Sequence, residues 1–437
     1  MQTKEKIRIG LAGAGTVGGG VIKILAKEMG FFRKNLQLPL ELTKIATIEP
    51  ERLKDFPIGN AEVVGCGLEI ANDPNIDLVI ELIGGTKIAK DVVMTAIENG
   101  KHVITANKKL IAEYGPEIFT AAEKKKVSVY FEAAVGGGMP TIKTARESLV
   151  GNNLMSFYGI INGTCNYILT KMTEEGGDFT ETLANAQKLG YAEADPTLDI
   201  DGGDTGHKTA IMASLLFDCF VDYNKMQIEG IRNITLDDIN FAKDLGYKIK
   251  LLGIAKKRPH DDTVDVRVNP VMLPDTHILA NVRDVFNAAL FTGDAVGQIM
   301  LYGKGAGELP TASAVISDIV DVARNIISGD VNRVPMEGYS RKNEVMLKGA
   351  NDIESRFYLR FSVKDDPGVI GVIATTLGKY KVSIASIDQS ERHDNNFVPI
   401  IFTTDKTNEA QVKNAVAEIE KNSFIKAATQ FIRIEDE

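Results

Sequence analysis

The chain has 437 residues, 44% hydrophobic, 25% charged and 7% aromatic, with no Trp and a formal net charge of −9. That length exceeds a single hydrophobic core and points to two or three domains. An acidic chain poor in aromatic rings argues against a nucleic-acid surface, because phosphates need cationic partners. No run reaches the roughly 18 apolar residues of a membrane span, so the expected partners are small molecules and copies of the chain itself.

The charged tip MQTKEK leads straight into an apolar strand, without the apolar core and cleavage site of a secretory signal. Cys66, Cys165 and Cys219 are odd in number and far apart. They read as small buried apolar residues of a reducing compartment, the cytoplasm, rather than as a disulfide or zinc frame. In chain order the patterning predicts a strand at 7–12, a helix at 17–29, strands at 42–48 and 76–84, and a helix at 89–99. A strand at 102–105, a helix at 114–126 and a strand at 127–133 follow. Apolar strands alternating with helices predict a Rossmann-type, doubly wound α/β sheet, covered on both faces.

Gly13-Ala14-Gly15-Thr16-Val17-Gly18 matches GxGxxG between the first strand and the first helix. A lone match is weak, but in this position it fits a loop that brings backbone and a positive helix end to a pyrophosphate. A plain structural turn is the alternative. The second strand ends in Ala46-Thr47-Ile48-Glu49-Pro50-Glu51-Arg52. Glu49 suits the ribose 2′-hydroxyl of NAD and repels the 2′-phosphate of NADP, whereas Arg52 suits that phosphate. The balance favours NAD and leaves NADP open. Glu49 can also simply start the next helix, where a carboxylate favours the dipole.

Beyond Gly136-Gly137-Gly138-Met139-Pro140, helices at 141–149 and 208–217 mix with strands at 157–161 and 264–269, an α+β substrate domain over 141–310. A helix within 311–335 is expected to complete the first domain, 1–140. The polar stretch 338–352 reads as a linker that few contacts cross, so truncation there should be tolerated. Residues 353–437 carry their own β-α-β-β-α-β pattern.

Residues 188–211 are the densest in chemistry. Glu193, Asp195, Asp199, Asp201 and Asp204 fall within a dozen positions, followed by His207 and Lys208. If a helix starts near Asp204, that residue and Lys208 share a face at i,i+4, which on its own is an ordinary surface ion pair. A Mg²⁺ or Ca²⁺ site is another reading, though the EF-hand spacing is absent. Asn162-Gly163-Thr164 reads as a turn, either shaping a pocket or purely structural.

The segment GYAEADPTLDIDGGDTGHK is similar to the signature of homoserine dehydrogenases. ITANKKL, FEAAVGGGMP, GIINGTCNYIL and GKGAGELPTASAVISD agree with it in order, over roughly the first 330 residues. The resemblance implies reversible hydride transfer between NAD or NADP and L-homoserine or L-aspartate 4-semialdehyde, in threonine, methionine and isoleucine biosynthesis. It implies Lys208 as the acid/base residue and Lys108 as a second lysine near nicotinamide and substrate. Glu193 and Asp204, supported by Asp199, are implied acceptors for the substrate ammonium, and Thr86, Gly190 and Gly305 are implied cofactor contacts. His207, beside the matching lysine, is not expected to be the base. A Na⁺ or K⁺ ion is implied at the Glu132 carboxylate and the carbonyls of Val135, Gly137 and Met139, although a plain hinge reads that loop equally well. Members of the family dimerise through the substrate domain, so at least a dimer is expected.

From residue 355, RFYLRFSVKDDPGVIGVIATTLGKYKVSIASIDQS resembles an ACT domain of ferredoxin-like fold. The resemblance implies an amino-acid effector, with L-threonine expected, at Asp366, Gly368, Val369 and Ile370. An oligomerisation module without ligand, or a non-catalytic amino-acid sensor, are the rivals.

Overall fold

The computed structural model describes residues 5–36, 39–257, 262–331, 333–334, 346–349, 352–389 and 397–436. Most of the expected linker, 338–345 and 350–351, lies outside the described residues.

Strands β1 (Ile7–Ala12), β2 (Leu40–Ala46), β3 (Glu62–Val64), β4 (Leu78–Glu81), β5 (His102–Thr105) and β6 (Val129–Tyr130) form a parallel sheet in the order β3-β2-β1-β4-β5-β6. Their side chains alternate between two cores. Ile9, Leu11, Leu78 and Ile80 bury on one face, and Ala12, Val79, Val103 and Val129 on the other. Both faces need cover, which is why these strands read as continuous apolar runs. Helices α1 (Thr16–Leu36), α2 (Gly67–Asn72), α3 (Lys87–Glu98) and α4 (Lys108–Lys125) connect the strands. The strand order reverses between β1 and β4, and doubly wound sheets bind nucleotides outside the carboxyl ends at that point.

Helix α4 starts six residues before the predicted 114, because the Asn107 side chain caps it by accepting the Leu110 N–H at 3.1 Å. This places Lys108 on the first helical turn. The predicted strand 127–133 is cut to β6, since Glu132–Ala134 turns into a 3₁₀ helix. Cys66 is exposed at the start of α2, against the expectation of burial.

The next unit runs α5 (Thr141–Lys143, continued as a π-helical turn), β7 (Leu154–Ile160), α6 (Gly163–Glu175), α7 (Phe179–Lys188), α8 (Thr197–Ile200) and α9 (Gly203–Leu216). It continues with β8 (Gln227–Ile228), α10 (Leu236–Asp244), β9 (Tyr247–Lys256), β10 (Thr263–Pro274), β11 (Phe286–Gly293) and β12 (Gly297–Lys304). Helix α11 (Glu308–Ser328) then packs Ala312, Val315, Ile319 and Val322 into the core that holds Ile9 and Leu11.

The last elements are β13 (Met346–Leu347), β14 (Glu354–Lys364), α12 (Val369–Lys379), β15 (Ile384–Gln389), β16 (Phe397–Thr404), β17 (Thr407–Asn408), α13 (Glu409–Ile419) and β18 (Gln430–Ile434). The order β18-β14-β16-β15 is that of a ferredoxin-like sheet. It does not stand apart. β18 pairs in parallel with β10, so one sheet runs β12-β11-β7-β9-β10-β18-β14-β16-β15 through both units. Tyr358, Ile401, Ile432 and Ile434 share a core with Ile168, Leu169 and Ile239. The expectation that few contacts cross this boundary is therefore overturned. A polar linker composition reports on the connecting segment alone, and says nothing of a strand eighty residues later that returns to the neighbouring sheet.

Candidate active site

The glycine loop has the shape a dinucleotide needs. Gly13 has φ +103°, and a Cβ there would lie 2.4 Å from the Leu82 carbonyl oxygen, while one on Gly18 would lie 2.1 Å from the Gly13 carbonyl oxygen. Around Gly15 the space is open, where a pyrophosphate could approach the backbone. Ala14 is buried under the loop, and Thr16 and Val17 open α1, whose first amides lack intrahelical acceptors. These residues fit the cofactor. At the end of β2, Glu49 is exposed and paired with Arg52 at 2.7 Å, so the two candidate ribose contacts neutralise each other. Thr86 stands at the N-cap of α3, and Gly190, with φ +75°, follows α7.

The acidic segment folds as expected around its charges. Helix α9 begins at Gly203, which puts Asp204 one turn below Lys208, and both are buried. Lys208 Nζ donates to Asp204 Oδ2 at 2.7 Å and to the Ile161 carbonyl at 2.7 Å. From the other domain, Lys108 Nζ reaches Asp204 Oδ1 at 2.7 Å. Asn162 donates to Asp204 at 2.9 Å and to Asp199 at 2.7 Å, and its oxygen accepts the Cys165 N–H that starts α6. Glu193 is exposed, yet its charge acts on Lys108.

Burial pushes the Lys208 ammonium below its usual range; Asp204 opposes the shift and Lys108 adds to it. Burial alone would lower Lys108 as well, but Asp204, Asp199 and Glu193 outweigh it and hold that lysine above its usual range. Asp204 is held low by Lys208 and Lys108 despite its burial. Two lysines bound to one carboxylate are thus shifted in opposite directions, Lys208 down and Lys108 up.

Asn162, read from the sequence only as a turn, bridges the two carboxylates. The available signal was an Asn at the start of a helix, a capping position whose side chain can also face a site. His207 is buried against Tyr223, rings stacked at 4.1 Å, and burial lowers its pKa to about 4, so it stays neutral.

The cation site fits poorly. Both Glu132 carboxylate oxygens accept backbone N–H groups, of Ile142 at 2.8 Å and Lys143 at 2.9 Å. Burial and the facing Asp318 raise the Glu132 pKa. The Met139 carbonyl accepts the Thr141 N–H at 2.8 Å. Gly137, at φ +55°, lies against the Gly305 carbonyl, and the Gly138 N–H donates to the Lys304 carbonyl at 3.1 Å, a tight contact between two loops. Among the described residues no group of three or more His, Cys, Asp or Glu is placed to hold a metal.

In the last unit, Asp366, Gly368, Val369 and Ile370 do come together. They line a cavity of about 290 Å³ at the N-terminus of α12, closed by Gln389, Val398 and Ile400.

A family model described as homoserine dehydrogenase matches residues 140–320, and one described as its NAD binding domain matches residues 13–132. A homoserine dehydrogenase of Neisseria gonorrhoeae is 42% identical over 433 residues, 99% of each chain. The chain belongs to the homoserine dehydrogenase family. A solved homoserine dehydrogenase from Thiobacillus denitrificans superposes with a TM-score of 0.93 at 39% identity, covering 100% of both chains. A hyperthermophilic archaeal homoserine dehydrogenase solved in complex with NADPH covers 72% of this chain and 97% of its own, with a TM-score of 0.60 and 25% identity. An ACT-domain model matches residues 357–424. Like its family, the chain is an oxidoreductase with a dinucleotide-binding domain, and among the described residues no helix is long and apolar enough to cross a membrane.

Proposed function

We propose that this homoserine dehydrogenase interconverts L-homoserine and L-aspartate 4-semialdehyde with NAD or NADP, using Lys208 as the acid/base residue. The observation that carries the reading is the Lys108–Asp204–Lys208 cluster, with Asp204 and Lys208 buried and Lys108 part-exposed, where the dinucleotide domain meets the substrate domain. In the oxidation direction the neutral Lys208 amine takes the proton of the substrate hydroxyl while hydride leaves the carbon that bears that oxygen, forming the carbonyl. The nicotinamide ring, when bound, supplies the hydride acceptor. A lysine of lowered pKa has its amine form available closer to working pH. Asp204 neutralises the ammonium that forms, and the charged Lys108 favours its later deprotonation. Glu193 and Asp199 supply further negative charge for the substrate ammonium, which competes with Lys108 for Asp204 Oδ1.

The same reading divides the chain into a dinucleotide domain (1–140, with α11), a substrate domain (141–310) and a regulatory domain (353–437). It assigns L-threonine as effector to the cavity at Asp366–Ile370, at least a dimer as the assembly, and the cytoplasm as compartment. It includes no monovalent cation. The test is to add L-homoserine with NAD⁺, and separately NADP⁺, to pure protein and follow absorbance of the reduced cofactor. Homoserine-dependent growth is the expected result. Binding without turnover with either cofactor would leave a sensor, not an enzyme.

A further inference from the structure

Glu81 takes no part in the chemistry above, yet it sits where the cofactor crevice is built. It is the last residue of β4, fully buried, with no ion-pair partner among the described residues. Its Oε1 accepts the Ile83 N–H at 2.8 Å and the Gly84 N–H at 3.3 Å, and Oε2 accepts the Thr105 hydroxyl at 2.6 Å, across to β5. Thr105 Oγ1 accepts the Asn107 N–H at 2.9 Å. The Asn107 amide donates to the Gly85 carbonyl at 2.6 Å while its oxygen caps α4. The bonds close a ring: Glu81, Thr105, Asn107, Gly85 and back along the chain. Gly84 and Gly85 have φ of +79° and +67°, and neither has a side chain to define the loop. The ring's hydrogen bonds are what fix its shape.

We propose that Glu81 is a positioning residue. It ties the loop 82–86, which ends at Thr86, to the N-terminus of α4, which begins at Lys108, and so sets the two relative to each other. The inference rests on the assignment of Thr86 and Lys108 to cofactor and substrate given above. NADH binding measured by titration, apart from turnover, separates its failure from the failure of that assignment.

The variants are Glu81→Gln, Glu81→Ala and Thr105→Val, each in the full chain, with thermal midpoint, NADH affinity, kcat per binding site and homoserine KM recorded. A carboxamide can still accept both backbone N–H groups and donate to Thr105, so Glu81→Gln should stay within about threefold of wild type in kcat and NADH affinity. Glu81→Ala and Thr105→Val should each lose about tenfold or more in kcat per site, with weaker NADH binding and homoserine KM within about twofold, since misplacement by an ångström can cost a hundredfold. If Glu81→Ala does not fold, Thr105→Val decides. A lowered thermal midpoint with unchanged kcat per site would make Glu81 merely structural and overturn the proposal. A Glu81→Gln loss equal to that of Glu81→Ala would overturn it as well.

Discussion

Two seams cross this molecule, and they are built differently. Where α4 meets α9, Lys108 reaches Asp204 and Glu113 lies 3.8 Å from His207, beside buried apolar residues of both helices (Leu110, Ile111, Ala210 and Ile211) in one core. The Lys108 side chain is 35% exposed. Where the unit that holds β7–β12 meets the ACT unit, β10 and β18 are neighbours in one sheet. Arg433 is clamped by Glu409 and Glu229, Glu435 lies between Lys256 and Arg267, and Arg360 and Tyr358 both reach Asp238. Burial would raise the Glu435 carboxyl, but Lys256 and Arg267 hold its pKa at about 2, so it stays charged. Lys108, Asp204 and Lys208 lie at the first seam, whereas the ACT unit is joined to its neighbour through backbone hydrogen bonds and buried ion pairs. Parting the second seam would break that strand pairing and separate buried charges from their partners.

The largest effect should come from the first seam. Lys208→Ala should lower kcat by about 10²- to 10⁴-fold, the range for general acid–base groups, while homoserine KM changes far less. Steady-state kinetics checks it, and a near-normal kcat would reassign the acid/base role. At the second seam, Arg433→Met leaves buried Glu409 with Lys413 as its remaining partner and should reduce stability by less than the roughly 3–5 kcal/mol of a fully unpaired buried charge, read in denaturant unfolding. A chain ending near residue 352 should then lose soluble activity as well as threonine response. A truncation that stays fully active would show the domains to be separable after all.

How much of this contrast was legible in the sequence differs between the seams. Asp204 and Lys208 were readable from local spacing, as an i,i+4 pair at a helix start. Lys108 and Asp199 rested on the family resemblance alone, since the helix that begins at Lys108 is expected from the sequence only at 114. The parallel sheet was readable from its two-faced apolar strands. The β10–β18 pairing was not, because a pairing between strands about 160 residues apart leaves no periodic trace in either strand. The burial of Arg433 and Glu435 follows only from that pairing. At Glu132 the resemblance implied a cation site and the residues alone left a plain hinge equally open; its oxygens accept the backbone amides at the start of α5.

Smaller effects grade the carboxylates of the first seam. Asp204→Asn removes a charged partner of two lysines and should raise homoserine KM about tenfold or more, whereas exposed Glu193→Gln should raise it only a few fold. NAD⁺ KM should move less in both. An unchanged homoserine KM in Asp204→Asn would end its role in substrate binding. The smallest effect concerns cofactor choice. Glu49 is exposed and already paired with Arg52, so Glu49→Ser should shift the NAD/NADP ratio of kcat/KM toward NADP by about tenfold or less. A ratio that does not move would show that Glu49 does not face the ribose.

The central claim is that a charged Lys108 and a depressed Lys208 share Asp204 across the first seam. The pH dependence of kcat for homoserine oxidation, in wild type and in Lys108→Met, tests it most directly. Oxidation needs neutral Lys208, so kcat should rise with pH and level off above a pKa lower than that of a free lysine. Removing Lys108 deletes a repelling charge and leaves Asp204 to Lys208 alone, and both changes stabilise the Lys208 ammonium. The rising limb should therefore move to higher pH in Lys108→Met. A limb that stays in place, or moves to lower pH, would contradict the account.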